Sequence, residues 1–207
     1  MSGQSAIPNS AWIILSIAVI AVSSGGIVLQ EMSQVEPLLR ASWRMQGTTL
    51  VLLPGFAYQC TRANDLSLTR YDFFLVVVSS LFLAMHFGSW VWSLDNTSLV
   101  HSLLFVNTHP LVLVALMPIM GQAVRKGHIA GVSLGVSGAI LALKDVGDGG
   151  QVTLVGDFAA FIGAVTVVGY ILSGRHLRSK RGMPIFVYAF PVSLGAGIWL
   201  SAASIIM

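Results

Sequence analysis

Charge is scarce in this chain: eleven Lys or Arg and eight Asp or Glu among 207 residues, 9% in all. A soluble domain carries about 25%, so the polypeptide has too little polar surface to fold in water. Cysteine occurs once, at Cys60. That excludes an internal disulfide and any paired-thiolate metal site, and Cys60 reads as a small residue near a helix end. Residues 1–10 hold no Lys or Arg, so the first apolar stretch lacks the basic leader of a signal peptide, and no small-residue cleavage site follows it. Carboxylates are missing from the middle of every long apolar run. Asp72, Asp95, Asp145 and Asp157 all stand near the ends, with Asp157 the expected N-cap of the sixth run. A mid-membrane acidic proton relay is thereby absent. No HExxH helix, nucleophile–base pair or phosphate-cradling loop occurs either, so no enzyme, no catalytic residue, no metal and no cofactor is expected.

What is abundant is apolar length. Hydrophobic residues make up 55% of the chain and the mean hydropathy is +0.82. Runs of about 18 or more apolar residues cross a bilayer as helices, and the pattern predicts seven: 11–30, 40–60, 71–93, 98–121, 127–144, 153–174 and 184–207. The fold class implied is an all-α membrane protein, a polytopic helical bundle of about seven transmembrane helices. The second span is the least regular, because Arg40, Arg44 and Gln46 crowd its start and Pro54-Gly55 interrupts it. The other joints are short, including 145–151, so consecutive helices are expected to run antiparallel and adjacent.

The net charge of +3 and the basic pI do not indicate nucleic acid. The cations sit in the joints, where they report topology. With a cytoplasmic N-terminus, eight fall inside (Arg62, Arg70, Arg125, Lys126, Arg175, Arg178, Lys180, Arg181) and three outside (Arg40, Arg44, Lys144). An N-terminus in the cytoplasm is therefore expected; which membrane holds the protein is open. Gly131, Gly135 and Gly138 in span five, and Gly156, Gly163 and Gly169 in span six, have the small-residue spacing that lets helices approach closely in lipid.

A faint repeat runs through the chain. Span one, then Pro37 and Trp43 six residues on, parallels span six, then Pro184 and Phe190 six residues on. Because five spans separate the copies, the second unit enters from the opposite side, the inverted arrangement of many secondary transporters. The expected organisation is one five-helix unit over 11–144 and the first two helices of a second over 153–207.

Polar side chains inside spans mark candidate sites, because lipid does not solvate them. Asn107, Thr108, His109 and Pro110 fall near the centre of span four, and Pro110 leaves the carbonyl of Val106 without its helical donor. His86 and Trp90 sit at i and i+4 in span three, where imidazole and indole can contact a polar or aromatic solute. An interfacial aromatic belt explains Trp92 and serves for Trp90 as well. Ser24 in span one and Tyr170 in span six complete a plausible polar lining, and each also serves as helix–helix contact.

These residues resemble the drug/metabolite transporter superfamily, specifically proteins built from EamA-type domains. The strongest stretch is 81–115: Leu83-Ala84-Met85-His86-Phe87-Gly88-Ser89-Trp90, then Ser93-Leu94-Asp95-Asn96-Thr97-Ser98, then Thr108-His109-Pro110-Leu111. It is similar to the family's third and fourth helices with their short joint and mid-span proline. Pro37 with Trp43-Arg44 is similar to the loop proline and aromatic–arginine pair that open the second helix. Residues 131–142 resemble the glycine-rich fifth helix and Gly156-Asp157 the start of the sixth. Two features differ: Gly121-Gln122-Ala123-Val124-Arg125-Lys126 lacks the family's glutamate, and the family has ten helices in two inverted halves, so three further spans are expected beyond Met207.

The resemblance implies a secondary transporter or facilitator of a small organic solute, working by alternating access. The expected substrate-binding residues are His86, Trp90, Asn107, Thr108 and His109, with Ser24 and Tyr170 peripheral. Expected partners are the lipid bilayer, the solute and, through self-association, a homodimer. Two rivals stand beside this reading. A seven-helix receptor or retinal protein fits the span count, yet it requires an outside N-terminus or a lysine in the last span. An inert or oligomerising truncated product is the other.

Overall fold

A computed structural model describes residues 9–62, 68–144 and 152–206. The joint at 145–151, with Asp145, and Met207 lie outside the described residues. The chain is an all-α polytopic membrane bundle. Its helices are α1 (Asn9–Glu31), α2 (Pro37–Arg62), α3 (Arg70–Asn96), α4 (Leu99–Val106), α5 (His109–Leu116), α6 (Lys126–Lys144), α7 (Leu154–Arg175) and α8 (Ile185–Ile206). A π-helical turn, His176–Lys180, extends α7. Every span expected from hydropathy has its helical counterpart. Among the described residues, five stretches are long and apolar enough to cross a membrane: Ala11–Glu31, Arg70–Asn96, Leu99–Leu116, Leu154–Lys180 and Ile185–Ile206.

Local rules set the ends. Thr69 caps α3 in a capping box: its hydroxyl accepts from the Asp72 amide, and the Asp72 carboxylate accepts from the Thr69 amide. Arg181, in the joint before α8, then donates to both Asp72 oxygens, at 3.0 Å from Nε and 2.8 Å from a terminal nitrogen. These hydrogen bonds, with the carboxylate charge, raise the Arg181 pKa further above its ordinary range. The cap of α7 is Thr153, whose hydroxyl accepts from the Gly156 amide at 3.0 Å. This corrects the expectation of Asp157, which lies inside the first turn. There it accepts instead from Thr97 at 2.7 Å and pairs with His101 at 3.0 Å.

Two other expectations are revised. α2 runs unbroken through Pro54, because a membrane helix tolerates proline where neighbours cover the freed carbonyl. Arg40 and Arg44 lie within α2 and not in an outside joint.

α3 is the central post, packed against α7, α8 and α2, while α2 lies along α8. Lipid offers no hydrophobic drive between helices, so close backbone approach and polar contacts hold them. Ala41, Ala160, Ala164 and Ala196 are fully buried at these seams. At Gly156 a Cβ would meet the Asn96 carbonyl oxygen at 2.5 Å and Thr97 Cβ at 2.7 Å, so only glycine lets α7 start beside the end of α3. Polar stitches reinforce the packing: Ser93 bonds Ser102 at 2.6 Å, and Ser42 donates to the Gly197 carbonyl at 3.2 Å. The glycines of α6 behave otherwise. Nothing lies within 4 Å of a Cβ placed at Gly131 or Gly138, and one at Gly135 would meet only Leu111 of α5, at 3.9 Å, so among the described residues the small stripe of α6 makes no close backbone seam.

A cationic, aromatic cavity among α1 to α5 and α7

Span four is two half-helices. α4 ends at Val106, Asn107 and Thr108 form a turn, and α5 starts with Pro110 in its first turn. The proline carries no N–H, so the Val106 carbonyl loses its helical donor. The imidazole Nδ1 of His109 lies 3.4 Å from that oxygen and supplies a long substitute. The break leaves a hollow of about 380 Å³ beside it, within the size range of small-molecule sites.

Its floor is built by α3. His86, Phe87 and Trp90 form one aromatic cluster: the His86 and Phe87 rings are 4.8 Å apart and tilted 69°, and His86 lies within 15° of parallel to Trp90 at 6.3 Å. His86 Nδ1 is 2.8 Å from the Gly163 carbonyl on α7. A carbonyl only accepts, so Nδ1 carries the proton and Nε2 is the ring's remaining nitrogen. Trp90 is 6% exposed and its indole N–H has no hydrogen-bond partner among the described residues. Asn107 and His109 line the wall at the helix break, and the Asn107 amide nitrogen donates to the Leu103 carbonyl at 2.7 Å.

α2 contributes Arg44, one of the residues that line the hollow. The guanidinium carbon lies 5.0 Å from the Phe87 ring centroid and 5.4 Å from that of Trp90, a cation–π seat on two faces. No ion pair or side-chain hydrogen bond engages this guanidinium among the described residues. Gly25 explains how α1 fits beside it: a Cβ there would run into the guanidinium. Val22 and Ser23 of α1, Leu103 and Val106 of α4 and Val167 of α7 complete an otherwise apolar wall. Among the described residues no carboxylate belongs to it.

Of the residues expected from sequence, the structure brings His86, Trp90, Asn107 and His109 together around this hollow. Thr108 is adjacent, with its hydroxyl bonded back to the Phe105 carbonyl at 2.6 Å. Ser24 bonds the Ala21 carbonyl, and its neighbour Ser23 is the serine that lines the cavity. Tyr170 stands apart, in a second hollow of about 470 Å³ with Tyr188 and Arg178. Arg44 and Phe87 were not among the expected site residues. The sequence carries a signal for Arg44, a cation within the expected span 40–60, but its nearness to the start of that span gives it the look of a joint residue.

A model of the EamA-like transporter family matches residues 9–144, which comprise α1 through α6. No curated protein and no solved structure matches the chain.

Proposed function

The chain belongs to the EamA-like transporter family, and from that premise we propose that it is a secondary transporter or facilitator of a small organic solute, acting by alternating access. The family is one of transporters and not of enzymes, and the chain is a multi-pass integral membrane protein. The observation that carries the proposal is the hollow at the break of span four, where Arg44, His86, Trp90, Asn107 and His109 converge. Polar groups at membrane depth cost free energy unless they are partnered or solvated, and a solute-accepting cavity accounts for them. His86 and Trp90 contact the solute. Asn107 and His109 do so from the point where the helix bends.

Residues 11–144 act as one five-helix unit, and 153–207 open a second, inverted one; the extent of the family match and the Pro37/Pro184 repeat support this division. The N-terminus is cytoplasmic, supported by the cations Arg62, Arg70, Arg125, Lys126 and Arg175 in or beside the joints of one side. Self-association of the chain completes the reading of its partners.

The test is uptake of a labelled solute panel into proteoliposomes holding the full chain. At least one small organic solute should enter faster than into empty vesicles, and Trp90→Ala should cut that rate about tenfold. Uptake equal to empty vesicles for every solute, with the protein folded and inserted, overturns the proposal.

A further inference from the structure

We propose that the solute of this cavity is an organic monoanion whose carboxylate sits on Arg44 and the indole N–H of Trp90, with its apolar body among Val22, Leu103 and Val106. The inference rests on the transport reading above and narrows its solute class.

Arg44 is the first support. Arginine keeps its charge in proteins, and a charge at membrane depth demands a counter-ion or water. One helical turn earlier, Arg40 receives its own counter-ion, Asp95, and at the far end Arg181 receives Asp72. For Arg44 the described residues supply none, and no Asp or Glu lines the hollow it faces. The counter-ion must then come from what the cavity holds.

Trp90 is the second, independent support. Its N–H is buried without an acceptor among the described residues, a condition that costs free energy in an empty site and is relieved by an acceptor ligand. Two neighbouring groups that only donate select a group that only accepts, and an ionised carboxylate is such a group. The guanidinium carbon lies 5.0 and 5.4 Å from the Phe87 and Trp90 ring centroids, and among the described residues no hydrogen-bond acceptor takes any of its five N–H donors. Those donors remain for a planar, bidentate partner.

The charge count sets the valence. His86 directs Nδ1 at the Gly163 carbonyl at 2.8 Å, and His109 places its own 3.4 Å from the Val106 carbonyl, so both histidines turn that nitrogen toward backbone and not toward the hollow. Among the described lining residues Arg44 is the one permanently charged side chain, and it matches one negative charge. Apart from Ser23, Asn107 and the two histidines the remaining wall is aliphatic and aromatic, and about 380 Å³ suits a small organic body.

The experiment is equilibrium dialysis of the full chain in lipid nanodiscs against three labelled probes of one shape: phenylacetate, phenylacetamide and phenethylamine. Phenylacetate should bind at least about tenfold more tightly than the amide, since hydrogen bonds to an ionised group are roughly twice as strong as neutral ones, and the amine should bind most weakly. Arg44→Gln should abolish the preference while amide binding persists, which also shows that the variant is folded. Arg44→Lys should keep only part of it, and this variant carries the test if the glutamine form does not assemble. Arg62→Gln, which removes a cation from Tyr58 outside the cavity, should change nothing. Equal affinity for acid and amide, or a preference that survives both Arg44 variants, overturns the monoanion. In that event amide binding that Trp90→Ala abolishes leaves the solute cavity standing, whereas no binding of any probe overturns both.

Discussion

Arg40, fully buried on α2, forms an ion pair with Asp95 at the end of α3 and also donates to the Leu29 carbonyl of α1. One side chain thus ties three helices at one end of the bundle. Breaking a buried pair from one side leaves a charge without its partner, whereas replacing both partners is close to neutral. Arg40→Met should therefore lower stability by about 3 kcal/mol, and Arg40→Met with Asp95→Leu should recover most of it. Chemical denaturation in detergent checks this, and a double variant no better than the single one refutes it.

Gly25 governs the position of Arg44. A methyl group there would overlap the guanidinium, so Gly25→Ala should displace Arg44 from the Phe87 and Trp90 rings. Solute affinity should fall about tenfold while the protein still inserts and elutes normally. Gly47→Ala is the matched control, since no atom lies within 4 Å of a Cβ at that position. It should leave binding unchanged and stability equal or up to about 1 kcal/mol higher.

Gly156 tests the seam between α3 and α7. Its neighbours there are backbone atoms of Asn96 and Cβ of Thr97, which cannot swing aside as a flexible side chain does. Gly156→Ala should destabilise by about 1–3 kcal/mol. Gly131→Ala on α6 should leave the unfolding temperature unchanged or slightly raised. Equal unfolding temperatures for the two variants would contradict the packing described.

Cys60, the single cysteine, is exposed near the C-terminal end of α2 and reports orientation. With the N-terminus in the cytoplasm, that end of α2 is cytoplasmic. A membrane-impermeant maleimide should then label Cys60 in permeabilised cells and leave it unlabelled in intact ones. Labelling of intact cells would reverse the proposed topology.

The helical frame was legible because bilayer crossing needs length and apolarity, which are properties of composition along the chain. Even α2, with its arginines and Pro54, was placed within a few residues. Three features escaped for physical reasons. Hydropathy averages over a window, so it registered span four as one element and not as two halves parted at Asn107 and Thr108. Small-residue spacing shows that helices can approach and not whether a neighbour does, so α6 and α7 looked alike though only α7 packs closely. Arg44 resembled a topological charge in one dimension. Only the fold places it over Phe87 and Trp90.

The interrupted fourth span carries a mechanical meaning. α4 is fastened to α7 through His101 and Asp157, while α5 is freed from α4 at a point where the main-chain ladder has already been cut by Pro110. A change of angle there sacrifices no helical bond at residue 110, so the joint between the two segments is cheap to bend, like a knuckle, and the hollow opens directly against that pivot.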